Sequence, residues 1–410
     1  MIVRTIERHV RGSVTQWPVT LITGARQVGK STLCKVLMDE LGFNYVSLDN
    51  PMERRTAVSD PAMFLKLHPF PLIIDEVQYA PELFDEIEHI VNKRKFETGD
   101  NYGMFILTGS HTYNLMEGVT QSLAGRVNIV EMSPLSASEI SSVDETPFAV
   151  DLKKIMERTS DYRVEPHELY GRILRGMYPE LYDNRRKDAA TFYRNYVDTY
   201  LERDVSMLMN IQDKTKFSNF LSILASLTGQ ELVYETIAKA VGVTAKTLRS
   251  WVNVLVTGHI IRLVQPFYDT SMIKRIVKRP KIYFADTGLA CYLMGIYDAE
   301  VMSKGIYKGR LVETYIVNEI LKSYSNNATE CGVFYYRDSN GNEIDLILLK
   351  DTKAHLIECK SGVSFDRTDV KAFSQMRTSS YEIGESCIIC NTDTVYSISD
   401  NVFVIPITSI

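Results

Sequence analysis

The chain has 410 residues, 45% of them hydrophobic and 24% charged, which is ordinary for globular protein, leaves room for several cores and excludes disorder as the default. Its net charge of −5 conceals a basic island: residues 236–281 hold nine Lys or Arg against Asp269, a balance of +8, and the remainder sums to −13. Such an island suggests a surface that faces a polyanion. Arg4, Glu7 and Arg8 interrupt the first apolar stretch, and no run approaches the ~18 apolar residues of a membrane span, so a cytoplasmic protein without membrane contact is expected. Six cysteines in so long a chain make no disulfide framework. Cys387 and Cys390 form a CxxC, but it lies in a strand-like run without a second ligand pair, which favours buried thiols over a zinc site.

Between residues 19 and about 133, VTLITG, FNYVSLD, LIIDE, MFILTGS and VNIVEMS read as strands. Amphipathic helices separate them; the first, Ser31 to Leu41, carries Leu33, Val36, Leu37 and Leu41 on one face. Alternation of this kind implies α/β architecture with a parallel sheet. Within it, GARQVGKST (24–32) fits the P-loop pattern after a strand and before a helix. Gly24, Ala25, Arg26, Gln27, Val28 and Gly29 would wrap phosphates with backbone N–H groups, and Lys30 would reach the β and γ phosphates of ATP. Ser31, followed by Thr32, would place a hydroxyl on Mg²⁺. LIIDE then ends in Asp75, placed to hold Mg²⁺, and Glu76, placed to polarise the attacking water.

These elements, with LTGS (107–110) and SLAGRV (122–127), resemble the AAA-type ATPases of bacteria and archaea. Over nearly the full length the likeness is to a prokaryotic subgroup whose ATPase is followed by a C-terminal domain of unknown function. YPE (178–180), TYLERDV (199–205), PKIYFADTGLA (280–290), GRLVETYIVNEI (309–320) and NEIDLILL (342–349) carry it. The resemblance implies that Ser110, with Thr108 beside it, is the polar sensor, and it makes Arg126 a candidate arginine finger for a neighbouring subunit of a homo-oligomer; a surface salt bridge is the alternative. Arg203 is the one candidate second sensor.

From about 150 to 230 the pattern turns helical, with Phe192, Tyr193, Tyr196, Val197, Tyr200 and Leu201 on a broad apolar face. ETIAKAVGVTAKTLRSWVNVLV then reads as two short helices about Gly242, with Ile237, Ala240, Val243, Leu248, Trp251, Val252 and Leu255 as core. Lys246, Thr247, Arg249, Ser250 and Asn253 remain for base edges and phosphates, and Lys274 to Lys281 would form a basic wing on DNA. A protein-docking module or a nucleotide lid would use the same fold.

Toward the C-terminus, Glu313 falls in a helix, Asp345 at the start of a strand, and Glu358 and Lys360 on one face of the next. This set resembles the restriction-endonuclease-like core of junction resolvases, although Ile344 stands where many members have proline. By that resemblance Asp345 and Glu358 would hold Mg²⁺, Glu313 would complete the shell, Lys360 would orient or deprotonate water, and Gln375 would add a contact. The alternatives are a solvated strand or a nuclease-shaped domain that has lost cleavage. The domains expected are an AAA-type P-loop core (1–150), a helical lid (151–215), a winged helix-turn-helix (216–285) and a restriction-endonuclease-like domain (286–410). The function expected is ATP hydrolysis near DNA, with an ATP-regulated endonuclease and a protein-binding scaffold ATPase as rivals.

Overall fold

Five short strands, β1 (Val19–Thr23), β2 (Asn44–Ser47), β3 (Leu72–Asp75), β4 (Phe105–Thr108) and β5 (Val127–Glu131), form an all-parallel sheet in the order β2-β3-β4-β1-β5. Every residue of β1, β3 and β4 is buried, which is why these strands read as continuous apolar runs rather than as alternation. The computed structural model describes residues 2–110, 119, 121–159, 166–183, 187–205, 213–269, 279–376, 378 and 380–410. It divides into two units: Met1–Glu145 with Thr257–His259 and Ser325–Ala328, and Thr146–Val256 with Ile260–Tyr324 and Thr329–Ile410.

In the first unit the helices are α1 (Glu7–Val14), α2 (Lys30–Leu41), α3 (Pro51–Ser59), α4 (Pro61–Leu67) and α5 (Leu83–Thr98). Asn50 and Asp60 cap α3 and α4 with their side chains, each followed by proline at the first helical position, where a missing N–H costs nothing. On α2 the expected face is shifted. Leu33, Cys34 and Leu37 are buried, but Val36 is half-buried and Leu41 is 38% exposed at the final turn. The chain leaves β1 for β2, with two strands between them, and returns from β4 across β1 to β5. The C-terminal ends of β1, β3 and β4 therefore meet beside a reversal of strand order, the place where open parallel sheets bind ligands.

The second unit begins with helices. Phe192, Tyr193, Tyr196, Val197, Tyr200 and Leu201 are all buried, as their spacing predicts. Tyr178 packs on Phe192 and Tyr196 with ring centroids 5.4 and 5.1 Å apart. Asp286 is buried and accepts hydrogen bonds from Met177 N and Tyr193 OH, both at 2.7 Å, so the YPE and ADTGLA stretches are joined by packing.

There follow α6 (Lys214–Ser226), β6 (Gln230–Glu231), α7 (Tyr234–Val241), α8 (Ala245–Thr257), β7 (Ile261–Pro266), β8 (Lys281–Phe284) and α9 (Lys308–Asn326). Gly242 ends α7 at φ +75°, and the N–H groups of Gly242 and Val243 both donate to Ala238 O. The core positions of α7 are Ile237, Ala238 and Val241; Ala240 is exposed and Val243 half-buried, because helical spacing from Ile237 lands on Val241 before the turn. On α8 the expected Leu248, Trp251, Val252 and Leu255 are buried. Strands β9 (Gly332–Arg337), β10 (Glu343–Lys350), β11 (Lys353–Cys359), β12 (Glu382–Ile383), β13 (Ser386–Cys390), β14 (Tyr396–Ser399) and β15 (Val402–Pro406) complete the unit. They join the earlier strands in one sheet ordered β14-β15-β13-β11-β10-β9-β7-β8-β6, with β12 beside β11. Cys387 and Cys390 are buried free thiols on β13. Of the basic wing, Lys274, Arg275 and Lys278 lie outside the described residues, as does the side chain of Arg203.

Candidate functional site

The loop after β1 turns on glycine. Gly24 has φ +142°, and a Cβ there would stand 2.1 Å from Met132 O, so no other residue fits the approach of the loop to the segment after β5. Gly29, at φ +100°, starts α2. Lys30 is 5% exposed and folds back on its own loop, donating to Gly24 O at 3.0 Å and Ala25 O at 2.9 Å. Burial pushes its ammonium down to about 8, against the pull of Glu76 and Asp75. Ser31 is half-buried; Thr32 is exposed.

Arg4, just before α1, secures the loop from behind. Its guanidinium is buried and donates to Val28 O (2.7 Å), Ser133 O (2.7 Å) and Glu139 Oε1 (3.0 Å). Glu139 is itself fixed in a capping box with Ser136.

At the end of β3, Asp75 is 3% exposed and both its oxygens are engaged: Oδ1 accepts from Thr108 Oγ1, and Oδ2 from Tyr45 OH at 2.9 Å. The Thr108 hydroxyl also receives the Glu76 N–H at 3.2 Å. Glu76 sits in the left-handed region at φ 59°, ψ 44°, a conformation that costs a non-glycine residue on the order of 1 kcal/mol. That turn carries its carboxylate to Ser110 Oγ, 3.3 Å away, and to Gln78 Nε2. Ser110 is thus brought to the acid pair as the sequence predicts. Arg126 bonds instead to its own α5, with Nη2 3.1 Å from Glu88 Oε1 and Nε 2.8 Å from Asn92 Oδ1.

Arg4, Tyr45 and Gln78 were not singled out by the sequence reading. Only Gln78, two residues beyond Glu76, stood near enough to a motif to be suspected. Ser31 and Asp75 offer the hard oxygen donors that Mg²⁺ takes, and the Lys30 ammonium rests on neutral carbonyls that a phosphate could replace, so the residues present fit the nucleotide and its metal.

The second unit holds another charged cluster. Glu313 on α9, Asp345 on β10, and Glu358 with Lys360 at the end of β11 come together as expected: β10 and β11 pair antiparallel, Cys359 N donates to Asp345 Oδ2 at 2.9 Å, and Lys360 Nζ lies 2.7 Å from Glu358 Oε2. Gln375 is exposed on its short helix. One member was misread. Lys281, counted with the basic wing, is 2% exposed, and its ammonium stands 2.7 Å from Glu343 Oε1, 3.1 Å from Glu313 Oε1 and 3.4 Å from Asp345 Oδ1. Every residue of β8 is buried, so Lys281 lies inside while its sequence neighbours suggested solvent. Tyr283, also on β8, donates to Glu313 Oε1 at 2.7 Å.

Burial, reinforced by the Asp345 charge, raises Glu313 to about 7 and Glu358 to about 8. Burial works against the charge of Lys281, but Tyr283, Glu313, Asp345 and Glu343 hold it well above the usual lysine range. Among the described residues, no group of three or more His, Cys, Asp or Glu is arranged to hold a metal ion.

The parallel sheet, the glycine loop and the acid pair at its edge define a P-loop NTPase fold of AAA type. Residues 16–141 match the family model described as "AAA domain", residues 166–300 a domain of unknown function (DUF8612), and residues 308–410 another (DUF4143). The chain thus carries an AAA domain followed by two domains of unknown function. An uncharacterized protein of Mycobacterium tuberculosis and one of Mycobacterium bovis are each 25% identical over 98% of this chain and 83% of their own length. Among solved structures, a Walker-type ATPase of Pyrococcus abyssi is similar with TM-score 0.42 at 16% identity, over 70% of this chain and 94% of that one. A Thermotoga maritima RuvB mutant matches at TM-score 0.30 and 16% identity, over 64% and 93% respectively. No helix among the described residues is long and apolar enough to cross a membrane.

Proposed function

We propose that the chain is a Mg²⁺-dependent ATP hydrolase in which Lys30 and the 24–29 loop bind the phosphates, Ser31 and Asp75 hold the metal, and Glu76 activates water. The observation that carries this reading is the shared hydroxyl of Thr108, which bonds to Asp75 and to the Glu76 backbone and so fixes the two acids relative to each other. Mg²⁺, when bound, offsets charge on the phosphate oxygens. Glu76 has a different task from Asp75: its carboxylate, held by Ser110 and Gln78, is turned away from the strand end and is the base for a water in line with the γ-phosphate. Arg126 is the finger for a neighbouring subunit of a homo-oligomer, and reaching it requires release from Glu88 and Asn92. Glu76→Gln tests the reading: a chain that binds ATP but no longer hydrolyses it is expected, and normal turnover would defeat the assignment.

The place of action is DNA, through α8. Lys246, Arg249, Ser250 and Asn253 are exposed on its outer face, as recognition of phosphates and base edges requires. Arg249 stacks over Tyr234, 4.4 Å from the ring centre to the guanidinium, and lies 3.7 Å from Glu235. That partial neutralisation favours, as a second reading, a scaffold ATPase that docks a protein on this face. Salt-dependent binding of duplex DNA separates the two. Cleavage through Asp345, Glu358 and Lys360 is not favoured, because the Lys281 ammonium already lies 3.4 Å from Asp345 Oδ1.

A further inference from the structure

The residues of the second cluster do not fit a divalent metal. We propose that Lys281 is the resident cation of this cluster, a metal-free ion lock that ties β8 to α9 and β10, so that the nuclease-like arrangement binds no Mg²⁺ of its own.

Geometry supports the assignment from three directions. Three carboxylates, Glu313, Glu343 and Asp345, lie within 3.4 Å of one ammonium, which leaves no hydrated dication room among them without double positive charge against Lys281. Further donors already serve these carboxylates. Glu313 takes the Tyr283 hydroxyl, Asp345 Oδ2 takes the Cys359 N–H, and Glu358 takes Lys360. Finally, Lys281 cannot easily leave. It sits on β8 between β7 and β6, paired with Val264 and Glu231, with its ammonium 5.5 Å from the Tyr335 ring and its side chain 3% exposed. A surface lysine would swing away when a metal arrives; this one is built into the sheet.

Two consequences distinguish the lock from a metal centre. The acids are satisfied without metal, so the folded chain should be indifferent to divalent ions at this place. Removing the ammonium should leave buried carboxylates facing one another, which is destabilising until another cation enters.

The first measurement is Mn²⁺ binding to the nucleotide-free full chain by electron paramagnetic resonance, comparing wild type with Asp345→Asn. Identical isotherms are expected; one additional tightly bound Mn²⁺ in the wild type would overturn the proposal. This comparison stands whether or not any Lys281 variant folds. The second is thermal unfolding of Lys281→Met with and without Mn²⁺. A fall of several degrees that millimolar Mn²⁺ reverses, with no Mn²⁺ effect on wild type, is expected. An unchanged melting temperature in the metal-free variant would show that Lys281 locks nothing.

Discussion

The two charged centres are built from the same residue types and do opposite things with them. In the first unit a buried lysine rests on two neutral carbonyls, and burial pushes it down to about 8; in the second, a buried lysine faces three carboxylates and is held well above its usual range. Lys30 is desolvated on neutral carbonyls, with Glu76 and Asp75 offsetting only part of that cost, which is the state of a group waiting for an anion. Lys281 already has its anions. Whether a buried ammonium reads as a ligand-binding or a structural feature thus depends on the charge of what it touches, not on how deeply it lies.

The comparison breaks first at Lys30. Lys30→Ala should abolish measurable ATP binding in a fluorescent-nucleotide titration, and Glu76→Gln should cut hydrolysis by about 10²-fold or more while nucleotide affinity stays near wild type. Next comes pH. A free-state value of about 8 for Lys30 means that binding a phosphate takes up a proton above that pH. ATP affinity should therefore fall by up to about tenfold for each pH unit above 8, and a flat profile from pH 8 to 10 would remove the basis for calling Lys30 only partly compensated.

The second unit gives a pH effect of its own. Glu313 and Glu358 have folded-state values raised to about 7 and about 8 by burial, with Lys281, Asp345, Glu343, Tyr283 and Lys360 around them. A raised carboxyl stabilises the fold below its unfolded value, and that contribution is lost as pH rises through the folded value. Protection of α9 from hydrogen exchange should thus weaken between pH 5 and 8.5, and Glu358→Gln should flatten part of the slope. Smaller effects remain. Lys246→Ala and Arg249→Ala should each lower the salt slope of DNA binding by about 1, and no detectable DNA binding at low salt would favour the protein-docking face instead. Tyr45→Phe, which removes one of the two hydroxyls on Asp75, should weaken the Mg²⁺-dependent increment of nucleotide affinity several-fold while leaving binding in chelator unchanged.

How much of this could be read beforehand follows from distance along the chain. The parallel strands, the P-loop and the Asp75–Glu76 pair are local patterns: hydrophobic period, glycine spacing and an acid after a buried run are fixed within about ten residues. Glu313, Asp345, Glu358 and Lys360 were also legible, since the β10–β11 hairpin brings Asp345 beside Cys359, whereas Lys281 and Glu343 were not. Burial on the short helix α7 was misassigned by one or two positions, because a two-turn helix offers too few apolar positions to set its phase. What the sequence by itself determined, then, was a P-loop core and a set of charged residues able to meet. Only the tertiary structure decided their partners. Arg4 reaches Val28 and Glu139, Tyr45 reaches Asp75 from the neighbouring strand, and Lys281 reaches Glu313 and Asp345 across separate elements. Hydrogen bonds and ion pairs of that kind depend on strand order and burial, which no short window of sequence contains.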